Sequence, residues 1–336
     1  MKAIGFTQSL DISDINSFFS FETDMSTPTG HDVLVKIEAI SVNPVDYKIR
    51  QNSAKEAPLA QPKVIGWDAA GTVVAVGERV SLFKKGDTVY YAGDINRQGC
   101  NAEYQLVDER IVGRKPRSLS MAEAAALPLT TLTAWEMLFD RIRINQRDKG
   151  KTILIIGGAG GVGSIAIQLA KKIAGLHVIA TASRPESTAW CLQQGADAVV
   201  NPHQLRDEMM RLGIDGVDFI LDLVDTGVYW DAMSQLIRPQ GHIASITGSG
   251  SPIPLNKLKT KSVSFSWEYM FTRSFFQTDD MIRQHEILNE AAHLFDSLIL
   301  NHTLCQTLDG FNVENLKKAH QQLESGTTIG KLVIRF

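Results

Sequence analysis

Residues 153–170 read ILIIGGAGGVGSIAIQLA, and this stretch constrains the fold more than any other. Ile153, Leu154, Ile155 and Ile156 make a short apolar run of the kind buried inside a sheet. They lead directly into glycine, and a helix-compatible run from 164 to 174 follows until Gly175 stops it. Gly158, Gly160 and Gly163 fit the spacing G-x-G-x-x-G. Each has a physical task in such a turn: Gly158 permits a tight bend, Gly160 lets the backbone approach a pyrophosphate, and Gly163 lets the helix lie close on the strand. The amides at the head of the helix, those of Gly161 and Val162 among them, then face the phosphate charge. The spacing alone is a weak signal. After an apolar strand and at the start of a helix, it predicts a dinucleotide-binding turn.

The alternation continues downstream. Strands are expected over 177–182, 217–224 and 242–247, with a helix over 229–237 ended by Pro239 and Gly241. Strand, helix, strand at this spacing is the pattern of a parallel sheet with helices on its faces. The earlier chain reads differently. β-Branched and aromatic runs at 33–40, 71–77 and 88–92 are punctuated by glycine, which predicts an irregular, barrel-like β domain. No helix of good periodicity is expected before about Met121. Residues 121–138 are expected to form two helical pieces joined at Pro128, because proline removes a helical donor and clashes with the preceding turn. In the tail, Thr278 or Asp279 is placed to cap a long helix through about Leu300. Asn312 is placed to cap another, stopped by Gly326, and 331–336 ends the chain as a strand.

A length of 336 residues allows about two domains, and 44% hydrophobic with 21% charged residues is ordinary for a folded chain. The net charge of -3 gives no basic field for nucleic acid or an anionic membrane. No apolar run has the length of a signal peptide or a membrane span. Cys100, Cys191 and Cys305 lie far apart and form no C-x-x-C pair, which fits reduced thiols and a cytoplasmic location.

The choice of nucleotide is read at the end of the next strand. An NAD site carries Asp or Glu there to bind the ribose 2′-hydroxyl. This chain has Ser183 and Arg184 after Ala182, and no carboxylate until Glu186. Ser183 can donate one hydrogen bond to a 2′-phosphate and Arg184 can make a charge-assisted pair with it, so NADP(H) is expected over NAD(H).

Longer stretches carry a family resemblance. SVNPVDYKIR (41–50), VIGWDAAGTVVAVG (64–77), ALPLTTLTAWEML (126–138), IIGGAGGVGS (155–164) and the aromatic segment WEYMFTRSFFQ (267–277) resemble the medium-chain dehydrogenase/reductase superfamily over essentially the whole chain. Within it, the chain is similar to the zinc-less quinone oxidoreductases and to proteins called zinc-type alcohol dehydrogenase-like. The resemblance implies an α/β fold in two domains. One is a GroES-like β-barrel domain from 1–124 and 268–336. The other, over 125–267, is a Rossmann domain, a doubly wound parallel sheet that binds NADP. It also implies a homodimer paired along an edge strand, with 261–271 the expected strand.

The same resemblance carries expectations residue by residue. Zinc-dependent relatives place a Cys ligand where this chain has Asn43, a Gly-His-Glu where it has Gly66-Trp67-Asp68, and a further Cys near Leu129. Val45 stands where they carry the hydroxyl of the alcohol proton relay. Asn43, Trp67 and Leu129 cannot form a zinc site, which needs three thiolate, imidazole or carboxylate ligands and an open position, so no metal is expected. His285-Glu286 opens a run like H-E-x-x-H, but the fifth position is Asn289, which leaves the histidine decorating a helix. Without a Lewis acid to lower an alcohol's pKa, the implied activity is NADPH-dependent reduction of a substrate that is already electrophilic: a quinone or an α,β-unsaturated carbonyl such as an enone or enal. Two alternatives stand beside it. One is a non-catalytic NADPH-binding protein, a sensor or structural component. The other is a zinc alcohol dehydrogenase, which the ligand positions disfavour.

The candidate catalytic residues are Asn43, Asp46, Tyr47 and Lys48, which the family places at the floor of a cleft. Asn43 is expected to hydrogen-bond the substrate oxygen or the nicotinamide ribose. Asp46 and Lys48 are expected to pair, either positioning a water or acting as a structural salt bridge, and Tyr47 is a candidate proton donor. Thr133 resembles the residue that contacts the nicotinamide end. Leu223, Val224, Ile246 and Thr247 fall at the C-terminal ends of strands, where open α/β sheets bind ligands. Trp67, Tyr269 and Phe271 are expected to wall a flat apolar pocket, with core packing the competing role.

Overall fold

The computed structural model describes residues 1–336. In chain order its elements are β1 (Lys2–Gly5), β2 (Phe19–Glu22), β3 (Asp32–Ser41), α1 (Pro44–Asn52), β4 (Asp68–Val76), β5 (Thr88–Tyr91), β6 (Tyr104–Asp108), β7 (Val112–Arg114), α2 (Met121–Ala125), α3 (Pro128–Trp135), β8 (Thr152–Ile156) and α4 (Gly161–Gln168). There follow β9 (His177–Thr181), α5 (Pro185–Gln194), β10 (Ala198–Val200), α6 (Leu205–Arg211), β11 (Val217–Asp222), α7 (Thr226–Leu236), β12 (Ile237–Ser245), β13 (Ser264–Trp267), α8 (Thr272–Phe276), α9 (Arg283–Asp296), β14 (Leu304–Asp309), α10 (Val313–Glu324) and β15 (Lys331–Arg335). These group into two units: Met1–Leu129 with Phe271–Phe336, and Thr130–Met270. Both boundaries fall downstream of the sequence-based positions, 124/125 and 267/268.

The first unit is built on a seven-stranded sheet ordered β14-β15-β3-β4-β5-β7, with β6 paired to β3 off this path. The last strand, β15, pairs antiparallel with β3, setting Val333 opposite Ser41. The start of β15 therefore lies beside the point where β3 leaves the sheet for α1. No helix was expected here, and α1 is a departure from the sequence reading. It is too short for a periodicity signal and is specified by its start instead. Asn43 is the N-cap, Pro44 the first helical residue, and Asp46 Oδ2 accepts the Asn43 N–H at 2.8 Å.

The second unit is a six-stranded parallel sheet ordered β10-β9-β8-β11-β12-β13. β8 is central, and the order reverses beside it, which is where doubly wound sheets bind ligands. Its core joins Leu154, Ile179, Ile220 and Ile243 of the sheet to Trp230 and Met233 of α7. β12 begins at Ile237, so Pro239 lies inside a strand instead of closing a helix. The register against β11 shifts between Val217 and Phe219, and an irregular pairing of that kind tolerates a residue with no N–H.

Two further helix ends depart from expectation. α9 starts at Arg283, not at a cap on 278 or 279, because Thr278 Oγ1 bonds Asp280 Oδ1 at 2.6 Å instead; it ends at Asp296, short of Leu300. α10 begins as expected, with Asn312 accepting the Asn315 N–H at 2.8 Å. His285 on α9 reaches the Val112 carbonyl at 2.6 Å through Nδ1, while the Asn289 amide donates to Nε2 at 2.9 Å. Both ring nitrogens are committed within the fold. No helix is long and apolar enough to cross a membrane.

Candidate functional site

β8 runs into the glycine turn at the centre of the parallel sheet. Gly157 takes a φ of 90°, so the left-handed bend belongs to it and not to Gly158, which corrects the role read from the spacing. Gly158 is instead a packing glycine: a Cβ there would stand 2.7 Å from the Ala180 Cβ and 3.0 Å from Cys191 Sγ. Gly163 has no room at all, because a Cβ would meet the Gly157 carbonyl oxygen at 2.3 Å. At Gly160, the N-cap of α4, the nearest atom to such a Cβ is 3.6 Å away. The backbone is thus open on the side a ligand would approach. Gly161 and Val162 follow, half-buried, with the unpaired amides of a helix start. The turn is tied down by Thr181 Oγ1, which accepts the Gly157 N–H at 2.9 Å. Ser164 Oγ donates to the Gly160 carbonyl at 2.7 Å and accepts the Trp190 Nε1–H at 2.8 Å. These residues fit a dinucleotide phosphate.

Ser183 and Arg184 lie just beyond β9, Ser183 exposed and Arg184 half-buried. Together with Thr188, Asn201 and Glu208 they line a cavity of about 520 Å³. Arg184 Nε is 3.5 Å from Glu186 Oε1. Leu223 and Val224 follow β11, and Ile246 and Thr247 follow β12. None of the four is core: Val224 is exposed and the others are half-buried. Thr133 is buried in α3. Beneath the strand ends lies a network that sequence reading missed. Asp222 is fully buried and accepts from the Val224 N–H at 3.1 Å, Thr226 Oγ1 at 2.9 Å and Ser245 Oγ at 3.0 Å. Its only sequence signal was a carboxylate closing an apolar strand.

In the first unit, the residues aligned with a zinc centre meet around Asp68. Its Oδ2 accepts from Asn43 Nδ2 at 2.8 Å and from Lys331 Nζ at 3.2 Å, and its Oδ1 accepts the Leu129 N–H at 2.7 Å. Asn43 Oδ1 accepts from Lys331 Nζ. Both polar atoms of the buried Asn43 carboxamide are therefore bonded within the unit, which corrects its reading as a contact for substrate or ribose. Burial pushes the Asp68 carboxyl up from the usual range, against the Lys331 charge and the Asn43 and Leu129 donors, which hold it down. Lys331 was not singled out from the sequence, because nothing near position 331 marks it.

Asp46 and Lys48 do not form the expected pair. Asp46 is buried against the Asn43 backbone while Lys48 points to solvent, because they sit two residues apart on a helix and so face different ways. Tyr47 is half-buried, and its phenol is pushed up by burial and then by the nearby Glu324 charge. Trp67 is buried, donates from Nε1 to the Asp94 carbonyl at 3.2 Å, and packs edge-on to the buried Phe271 with ring centroids 6.1 Å apart. Those two aromatics are core and not pocket wall; Tyr269 is 46% exposed. Asn43, Trp67 and Leu129 supply no thiolate, imidazole or carboxylate for zinc, and no three His, Cys, Asp or Glu side chains converge on a point that could hold a metal ion. These residues do not fit a zinc ion.

Asp46 yields a prediction for stability. Burial raises its carboxyl from 3.8 to about 8, ahead of the opposing Asn43 N–H and Lys331 charge. The unfolded chain ionises above 3.8 while the fold keeps the proton up to about 8, so stability falls as pH rises through that window. Asp46→Asn keeps an acceptor for the Asn43 N–H and removes the slope. The variant should gain on the order of 2–4 kcal/mol over the parent at neutral pH. Thermal melts across the window check this; an equally steep decline in the variant would rule it out.

Residues 29–132 match the alcohol dehydrogenase GroES-like domain and residues 161–285 the zinc-binding dehydrogenase family. A protein of Staphylococcus epidermidis (strain ATCC 12228 / FDA PCI 1200) called zinc-type alcohol dehydrogenase-like is 45% identical over 338 residues, spanning 99% of either chain. The chloroplastic NADPH-dependent alkenal/one oxidoreductase of Arabidopsis thaliana is 35% identical over 228 residues, 66% of this chain and 56% of its own. Among solved structures, a Rhizobium etli CFN 42 protein that carries the name zinc-dependent alcohol dehydrogenase superposes with a TM-score of 0.95 at 47% identity, covering 100% of this chain and 98% of its own. The chain belongs to the medium-chain dehydrogenase/reductase superfamily of oxidoreductases.

Proposed function

We propose that this protein is an NADPH-dependent reductase of quinones or α,β-unsaturated carbonyls and works without zinc. The observation that carries this reading is a G-x-G-x-x-G turn open at Gly160, in a chain whose positions aligned with zinc ligands hold Asn43, Trp67 and Leu129. With no ligand set to hold a zinc ion against an alcohol, the chemistry favoured is reduction of a substrate that is already electrophilic. The plant relative named for alkenals and alkenones supports that class. When bound, the nicotinamide supplies a hydride.

The chain's own residues hold and orient. The open backbone at Gly160 and the amides of Gly161 and Val162 receive the pyrophosphate, Ser183 and Arg184 take the 2′-phosphate, and Leu223, Val224, Ile246 and Thr247 bound the nucleotide at the strand ends. Thr133 serves the nicotinamide end. Tyr47, kept protonated by its surroundings, holds a proton at Oη for the developing oxygen. Tyr269 offers an apolar face to a flat substrate. The test is NADPH oxidation over a panel of quinones, enals and enones, with EDTA expected to have no effect. Tight NADPH binding with no turnover across the panel would favour the non-catalytic alternative. Stoichiometric bound zinc would favour the alcohol dehydrogenase.

The cofactor preference has its own test. Ser183→Asp with Arg184→Ala removes a charge-assisted pair and adds an acceptor for a 2′-hydroxyl. The ratio of kcat/KM for NADPH over NADH should fall by about 10- to 100-fold, and an unchanged ratio would move the 2′-phosphate elsewhere. A homodimer is part of the same reading. β13 is one of the two edge strands of its sheet, with Trp267 exposed, and a second copy pairing there would cover both. Sedimentation equilibrium measures this directly. A reducing, cytoplasmic location fits the three free cysteines.

A further inference from the structure

Lys331 opens β15, yet its side chain is only 4% exposed. Its ammonium has three protons and three oxygen partners: the Val42 carbonyl at 3.0 Å, Asn43 Oδ1, and Asp68 Oδ2 at 3.2 Å. Chain segments far apart in sequence meet on this group. They are the exit from β3 at Val42 and Asn43, the start of β4 at Asp68, the start of β15, and Leu129 through the second oxygen of Asp68. The arrangement is that of an ion in an all-oxygen cage with one close carboxylate. Asp46, the other buried acid nearby, has its Oδ2 on the Asn43 N–H and no partner for Oδ1.

We propose that Lys331 is a built-in cation, whose ammonium occupies an oxygen cage of Val42, Asn43 and Asp68 that accepts a small free cation once the lysine is removed. The inference does not depend on the proposed activity. Truncating the lysine leaves the Asp68 carboxylate buried without a counter-charge, and breaking a buried pair in this way is strongly destabilising. The truncation also clears a channel the shape of the missing atoms. Lys331→Ala deletes the equivalent of an n-propylammonium ion, so that ion restores both volume and charge. Lys331→Met fills the volume and restores no charge.

The test is the melting temperature of the full chain in n-propylammonium, ammonium, magnesium or calcium chloride, with tetramethylammonium chloride at equal ionic strength as control. Lys331→Ala should melt roughly 10 °C below the parent. Propylammonium, or one of the smaller cations, should recover most of that loss with a saturating dependence. The parent and Lys331→Met should show no such response. Recovery no greater than in tetramethylammonium, or a Lys331→Met protein as stable as the parent, would overturn the proposal. Should Lys331→Ala fail to fold, a double-mutant cycle decides. Asp68→Asn combined with Lys331→Met should be more stable than the sum of the two single losses predicts. Additive losses would also overturn it.

Discussion

A Gly163→Ala protein should lose nucleotide binding by about 100-fold or more, equivalent to about 3 kcal/mol. A Cβ at that position would meet the Gly157 oxygen at 2.3 Å and the Gly158 oxygen at 2.6 Å. Both contacts are to backbone, so no side chain can move aside, and the turn must open where the proposed phosphate-binding amides are set. Gly160→Ala separates geometry from stability. With its nearest neighbour 3.6 Å away, a methyl there meets no clash, costs the free protein only the modest preference of an N-cap for Gly over Ala, and obstructs what approaches the turn. Calorimetric titration with NADPH beside thermal melts should therefore show weakened binding in both variants and a much larger stability loss in Gly163→Ala. Parental affinity in both would remove this turn from the functional site.

His320→Leu should flatten the acid side of the stability profile. His320 lies on α10, fully buried and edge-on to Phe18 at 5.0 Å, with neither ring nitrogen hydrogen-bonded. Burial, and then the Arg50 charge, lower it from 6.5 to about 3. Between those values the unfolded chain takes up a proton that the fold refuses, so stability is complete above about 6.5 and drains away as pH falls towards 3. The loss is about 2 kcal/mol by pH 5. Leucine occupies a similar volume and has no group to charge. At neutral pH its removal of two unsatisfied atoms offsets the lost ring contact, so the variant should resemble the parent there and exceed it by about 2 kcal/mol at pH 5. Denaturant unfolding at the two pH values measures the difference, and parallel profiles would disprove it.

The two predictions differ in how far they were legible beforehand. The glycine turn is local: strand, bend and helix start fall within 153–168, so spacing and hydrophobic pattern specify it together. Even there, the assignment of the bend to Gly158 was off by one residue. The spacing names which glycines recur, and only the backbone torsion shows that Gly157 carries the positive φ. His320 carried no signal, because an amphipathic helix reads the same whether its histidine meets water or Phe18.

The first unit shows the limit more sharply. That Asn43, Trp67 and Leu129 are not zinc ligands was evident from residue identity alone, since no fold turns an indole, a carboxamide or an isobutyl group into a thiolate. What takes the place of that chemistry was not evident. Lys331 reaches Asp68 and Asn43 only because β15 pairs with β3, a contact between opposite ends of the chain. Trp67 is core because Phe271 and the Asp94 carbonyl close around it. By itself the sequence determined what depends on side-chain chemistry and short spacing: the glycine turn between strand and helix, the residue types at the positions aligned with zinc ligands, and the parallel-sheet unit. The tertiary structure alone decided which polar groups are buried and with whom they pair, because burial and long-range hydrogen bonding are properties of packed neighbours and not of any stretch of chain.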